Sequence, residues 1–180
     1  MDLLDFTAEA MYFDEPQDPE VVALLERAAE HYGRGPDDPT AEAALLRAYF
    51  LAPEDLTVLV ALYRFFYYRH AYEDALTVAD RAIAGTARRL DVPARWQVLS
   101  EDDLGRAVLV SMTLTRFLLM ALKGAGYLLL RLDRPAEALA RFEKVAQIDT
   151  SDRLGLASLI QLARGAAAEA AGPNVRALVR

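Results

Sequence analysis

Two stretches of this chain superimpose at a spacing of 34 residues: Leu25 matches Leu59, Tyr32 matches Phe66, Ala41 matches Ala75 and Ala48 matches Ala82. A third copy lies 63 residues after the second, with Leu122, Gly126, Ala138 and Phe142 followed by Gln147-Ile148-Asp149. A fixed period of this length marks helix-turn-helix units that cannot bury their apolar faces alone and must stack. The offset of 63 is one period plus 29 residues, so a segment is inserted between the second and third copies. Arrays of this kind are scaffolds that hold other molecules.

The punctuation of the chain agrees with an all-α fold. No period-two alternation is bounded by turn residues, so strands are not expected. Asp18-Pro19 and Asp38-Pro39 each read as an N-cap followed by proline at the first helical position, where the missing N–H costs nothing. Ser100-Glu101-Asp102-Asp103 opens a further helix with a cap and first-turn acids, and Asp133 reads the same way one turn before Ala136. Gly33-Arg34-Gly35-Pro36, Gly85-Thr86 and Gly172-Pro173 read as stops. These signals predict helices near 19–32, 39–51, 54–69, 71–89, 101–132, 135–148 and 152–171, preceded by a short one near 2–13. No proline interrupts residues 101–132, which predicts one continuous helix about 48 Å long. Its N-terminal half would pack on the second repeat or on another subunit.

The bulk composition narrows the class. A chain of 180 residues with 54% hydrophobic residues holds one domain with a continuous core. A net charge of -7 argues against nucleic acid as a partner, because that affinity needs Lys and Arg on phosphates. The absence of cysteine excludes disulfides and thiolate chemistry. Met1-Asp2-Leu3-Leu4-Asp5 lacks the basic start of a signal peptide, so the expectation is a cytoplasmic protein. Residues 107–130 are mostly apolar, but Arg116 and Lys123 interrupt them. They read as a buried helix rather than a membrane span.

At the repeat positions the chain resembles a tetratricopeptide repeat protein of the small bacterial type. The likeness rests on Asp133-Arg134-Pro135-Ala136-Glu137-Ala138-Leu139-Ala140-Arg141-Phe142-Glu143-Lys144, which reads like a family second helix, with Gly126 as the small residue facing it. Tyr72-Glu73-Asp74-Ala75-Leu76 fits the same way, Ala29 faces Ala41 in the first copy, and Pro53 ends it. The resemblance implies a single domain over residues 1–180. Its repeats lie at about 22–55, 56–89 and 119–152, with an insertion at 90–118 and a capping helix at 152–171. Three features depart from the family: Tyr63 stands where Gly126 does, leucines replace its tryptophan, and the insertion breaks the array.

Little in the chain suggests catalysis, and neither an enzyme, a cofactor nor a metal is expected. His31 and His70 sit at predicted helix ends, and neither completes a Glu-x-x-His pair. Glu26 and Glu30 are four apart on one helical face beside Arg27, which reads as a solvated face. Gly124-Ala125-Gly126 is not a phosphate loop. Trp96, the lone tryptophan, reads as an anchor for the insertion or as an exposed anchor for a partner.

The densest aromatic run is Tyr63-Arg64-Phe65-Phe66-Tyr67-Tyr68-Arg69-His70-Ala71-Tyr72. On the repeat register Leu62, Phe65 and Phe66 face inward. By resemblance, Arg64, Tyr67 and Tyr68 fall on the side that the family turns toward its concave groove. The matching positions are Lys123, Tyr127, Leu130 and Arg131 in the third copy, and Glu26, Arg27, Glu30 and Arg34 in the first. Tyrosines and cations dominate binding hot spots. The expectation is a non-catalytic adaptor or assembly helper that takes a peptide or helix, acidic by charge complementarity, in this groove. The alternative is that the rings pack against the inserted helix. A homodimer formed through the last helix is a second possibility. In outline the chain also resembles small repeat proteins that accompany bacterial metalloenzyme or nitrogen-fixation genes. Residues 1–20 carry seven acids and no base, with Leu3, Leu4, Phe6, Met11, Tyr12 and Phe13 among them. Such a segment is able to cap the first repeat or to lie in the groove.

Overall fold

Caps and periodicity set the helices, and the computed structural model describes residues 16–32, 39–149 and 151–171. Within them the chain forms eight α-helices and no strand: α1 Pro19–Tyr32, α2 Pro39–Leu51, α3 Leu56–Tyr68, α4 Tyr72–Arg89, α5 Glu101–Val110, α6 Met112–Arg131, α7 Pro135–Ile148 and α8 Ala157–Ala171. The helix expected near 2–13, the Asp38 cap and the stops at 33–36 and 172–173 lie outside the described residues. Asp18 caps α1 by accepting from Glu20 N at 2.8 Å. Asp55 caps α3 by accepting from Thr57 N and Val58 N. Ser100 and Asp103 form a reciprocal capping box at α5, which holds the Asp103 carboxyl below the usual carboxylate range.

Helices α3 and α6 end in the same motif. The amide of Ala71 bonds Phe66 O and that of His70 bonds Tyr67 O; Arg134 bonds Leu129 O and Asp133 bonds Leu130 O in the same way. Each is a Schellman turn, with His70 at φ 60° and Asp133 at φ 57° in the left-handed position. Asp133 therefore ends α6 instead of capping α7, whose N-cap is Arg134. Three-residue links of this kind set α3 against α4 and α6 against α7 as neighbouring hairpins. Gly85-Thr86 is not a stop: α4 runs through it to Arg89, and the Thr86 hydroxyl donates back to Ala82 O at 2.7 Å.

The inserted segment departs most from expectation. Residues 101–131 form two helices, not one, because Ser111 adopts an extended conformation and accepts from Leu114 N as the cap of α6. A straight helix would have carried Leu104 and Ala107 away from the body. The break turns α5 back onto α6 and α7, where both residues are buried. Upstream, the connection is pinned by Trp96. The Arg141 guanidinium of α7 lies 5.2 Å from its ring and makes a two-point ion pair with Asp80 of α4 at 2.6 and 3.1 Å. The last helix begins at Ala157 rather than 152, because Asp152 sits in a loop and accepts from Leu156 N and Ala157 N.

One core runs from α1 to α8. Ala41, Ala48, Ala75, Ala82 and Ala138 are all buried, as are Leu59 and Leu122. Tyr63 is fully buried and stacks on Tyr67 at 6.2 Å. At Gly126 a Cβ would come within 2.5 Å of the Phe142 ring, so a side chain is excluded there. In the first pair Ala28, not Ala29, is the buried alanine of α1; Ala29 is exposed. Helix α6 is long and apolar enough to cross a membrane, yet 67% of its apolar window is buried inside the fold, which makes it the central core helix.

Candidate functional site

The helix pairs do not join equally. Helix α4 packs on α6 as extensively as on its own partner α3, whereas the α2–α3 contact is thin. The thin junction leaves a groove between α1 and α3, floored by Leu45 of α2, with a cavity of about 370 Å³. Leu25, Ala28, Ala29 and Tyr32 form one wall, and Thr57, Val60, Ala61, Arg64, Phe65 and Tyr68 the other. Short side chains keep it open, and its lining is almost wholly apolar. Burial pushes the Tyr32 phenol above its ordinary range, with Tyr68 beside it adding to the effect. Tyr32 also meets Phe65 edge-on at 6.1 Å.

At the C-terminal end of α3 the groove runs into an aromatic cluster. Tyr67 is its centre, with ring centroids 5.5 Å from Tyr68, 6.0 Å from Tyr72 and 6.4 Å from Tyr127. Arg131 of α6 lies 5.0 Å from the Tyr72 ring and donates to its hydroxyl at 2.7 Å. An arginine can only donate, so the phenol accepts there and its own proton is available to His70 Nδ1, 2.7 Å away. Tyr68 is 52% exposed, which leaves an aromatic edge and a cation at the surface. Such a surface can bind by stacking and ion pairing.

The structure thus brings Tyr67, Tyr68, Tyr127 and Arg131 together, with Arg64 in the adjoining groove wall. Lys123 does not join them. It is 8% exposed and its ammonium donates to Leu154 O at 2.6 Å. The loop between α7 and α8 has closed over that turn of α6. Glu26 and Glu30 are exposed on α1 and do not line the cavity. Tyr72 is the member that sequence reasoning missed. Its signal is an aromatic four residues beyond Tyr68 and just past the turn, but the repeat register accounts for it only as the start of the next helix. Among the described residues no cluster of His, Asp and Glu is placed to hold a metal ion.

A second cavity, of about 670 Å³, opens on the far side between α5, α6 and the α7–α8 loop. Leu104, Val108, Met112 and Leu119 give it apolar walls, with Glu101, Asp149, Arg116 and Arg153 around them. Beside it Leu109, Val110 and Met112 are 87%, 60% and 63% exposed.

No protein-family model matches the chain, and no solved structure matches it. It is 47% identical over 162 residues to a protein of Azotobacter chroococcum mcd 1 described as an uncharacterized 19.8 kDa protein in the nifW 5′ region. The match covers 90% of this chain and 88% of that protein.

Proposed function

The chain belongs to the family of the 19.8 kDa protein of the nifW 5′ region, and from that premise we propose that it is a non-catalytic binding module that assists nitrogen fixation. In this reading α1–α2, α3–α4 and α6–α7 are tetratricopeptide-like pairs. The groove of α1 and α3 and the tyrosine cluster beyond it take an acidic peptide or helix of a partner protein. One observation carries it: an apolar groove leads into the exposed Tyr68, the half-buried tyrosines around it and an arginine, on a chain of net charge -7. The relative's gene region supports the nitrogen-fixation setting, and an assembly or maturation helper fits a chain of this size.

The test pairs a deletion with a surface variant. Loss of the gene should slow growth on dinitrogen and leave growth on ammonium unchanged. Arg64→Glu with Tyr68→Ala should fail to rescue, while its thermal midpoint stays at that of the parent. Hot-spot side chains carry about 2 kcal/mol each, roughly 30-fold in affinity. Full rescue by the variant would place binding elsewhere, and equal growth of the deletion strain on both nitrogen sources would remove the setting.

A second reading, self-association, is favoured by the exposed Leu109, Val110 and Met112 beside the larger cavity. Knob and hole adjacent on one face suit a two-fold pairing. Light scattering across concentration, with Leu109→Asp as control, decides it.

A further inference from the structure

The last turn of α5 is apolar and lies outside the core. Leu109 is 87% exposed, with Val108 and Val110 exposed beside it, where the extended Ser111 ends the helix. The cavity of about 670 Å³ adjoins this turn, walled by Leu104, Val108, Met112 and Leu119. An apolar patch rimmed by polar residues marks a surface of association.

A glycine shows what the cavity has room for. Gly105 lies in the middle of α5, where glycine is the least favourable residue after proline. It lines the cavity, and a Cβ there would meet nothing within 4 Å. Among the described residues, then, no neighbour within the chain requires a glycine at this position. Its missing side chain leaves space on the open side of the helix. Leu109 stands one turn further along the same side, so hole and knob adjoin on one face. Gly165 of α8 is equally open but lines neither cavity.

Charge selects the occupant. At a net charge of -7, two copies repel each other unless they meet where the surface is locally neutral. The rim of this cavity is such a place: Glu101 and Asp149 are matched in number by Arg116 and Arg153. Equal numbers of acids and bases give no preference for an acidic or a basic partner. Under a two-fold axis they are complementary to themselves.

We infer that two copies pair through α5 about a two-fold axis, with Leu109 of each seated over Gly105 in the cavity of the other. The inference rests on the second reading above and deepens it by naming the contact. The groove between α1 and α3 lies on the far side and stays open in the pair.

The test fills the hole and removes the knob separately, then mixes the two. Gly105→Leu occupies the space over the glycine with a better helix former. Leu109→Asp would bring a carboxylate into an apolar cavity. Sedimentation velocity across concentration should show the parent as a dimer, and each variant at least tenfold weaker in self-association. Both variants should keep the parent's circular dichroism, and Gly165→Leu should dimerise as the parent does. A mixture of the two variants retains one intact Leu109–Gly105 contact, whereas either alone retains none. The mixture should therefore associate at least tenfold more tightly than either variant by itself. A mixture no tighter than its components would overturn the reciprocal contact. A parent dimer that neither variant weakens would also overturn it, yet leave self-association through another face standing. A parent that stays monomeric up to millimolar concentration defeats both.

Discussion

The α1–α2, α3–α4 and α6–α7 pairs differ in what their corresponding positions carry. Positions 29, 63 and 126 correspond across the three copies. At 126 there is no side chain at all, and the Phe142 ring fills the space tightly enough to exclude even a methyl group. At 63 a whole tyrosine is buried. At 29 there is an alanine, exposed, at the wall of an open groove. One structural position thus serves as a packing contact in the interior pairs and as a groove wall in the outermost one. A helix pair is closed by whatever packs on it. The tight α6–α7 contact at Gly126 and the open groove between α1 and α3 follow from the neighbours that pack there.

The largest effect should come from emptying the closed side. Phe142 is fully buried, and Phe142→Ala should cost about 3–5 kcal/mol in chemical denaturation. The same truncation at Phe50, 86% exposed on α2, should change stability by about 0.5 kcal/mol at most. Comparable losses at the two sites would mean that the α1–α2 pair is as integral to the core as the rest.

How far this contrast could be read in the sequence follows from the same physics. Period, caps and small residues are local, and they placed α1, α2 and α7 as expected, with α3 and α4 within a residue or two. Side-chain burial depends on what arrives from elsewhere. Lys123 and Tyr127 are one turn apart on α6 and look alike on a helical register. The α7–α8 loop covers the first and leaves the second among the tyrosines. Ser111 shows the opposite failure. Its capping capacity is local and legible, but an apolar run without proline reads as continuous helix. Only the need to bury Leu104 and Ala107 against α6 and α7 decides for a break.

A smaller effect, but a change of sign, should separate glycine positions. Gly126→Ala gains about 1 kcal/mol of helix propensity and loses about 1–3 kcal/mol to overpacking against Phe142. The net should be a loss of about 1 kcal/mol. At Gly165 of α8 an added Cβ would meet nothing within 4 Å, so Gly165→Ala should keep the propensity gain and raise the midpoint. If both substitutions stabilise, the close approach at Gly126 does not govern the α6–α7 contact.

The smallest expected change in stability is the most informative about function. Ala29 is the first-copy counterpart of Gly126, yet it faces the open groove. Ala29→Leu adds three heavy atoms to the cavity wall and displaces no packed neighbour. Its effect on unfolding should stay within about 0.5 kcal/mol. The added side chain nevertheless takes up space in a cavity of about 370 Å³, so affinity for an acidic helical peptide should fall by tenfold or more. Both quantities come from one preparation: the denaturation midpoint, and the anisotropy of a labelled acidic amphipathic helical peptide. A stability loss like that of Gly126→Ala would show that position 29 is packed, and the contrast between the pairs would collapse. Unchanged stability with unchanged affinity would keep the contrast but move the binding surface away from α1, onto the tyrosines around Tyr67 and Arg131.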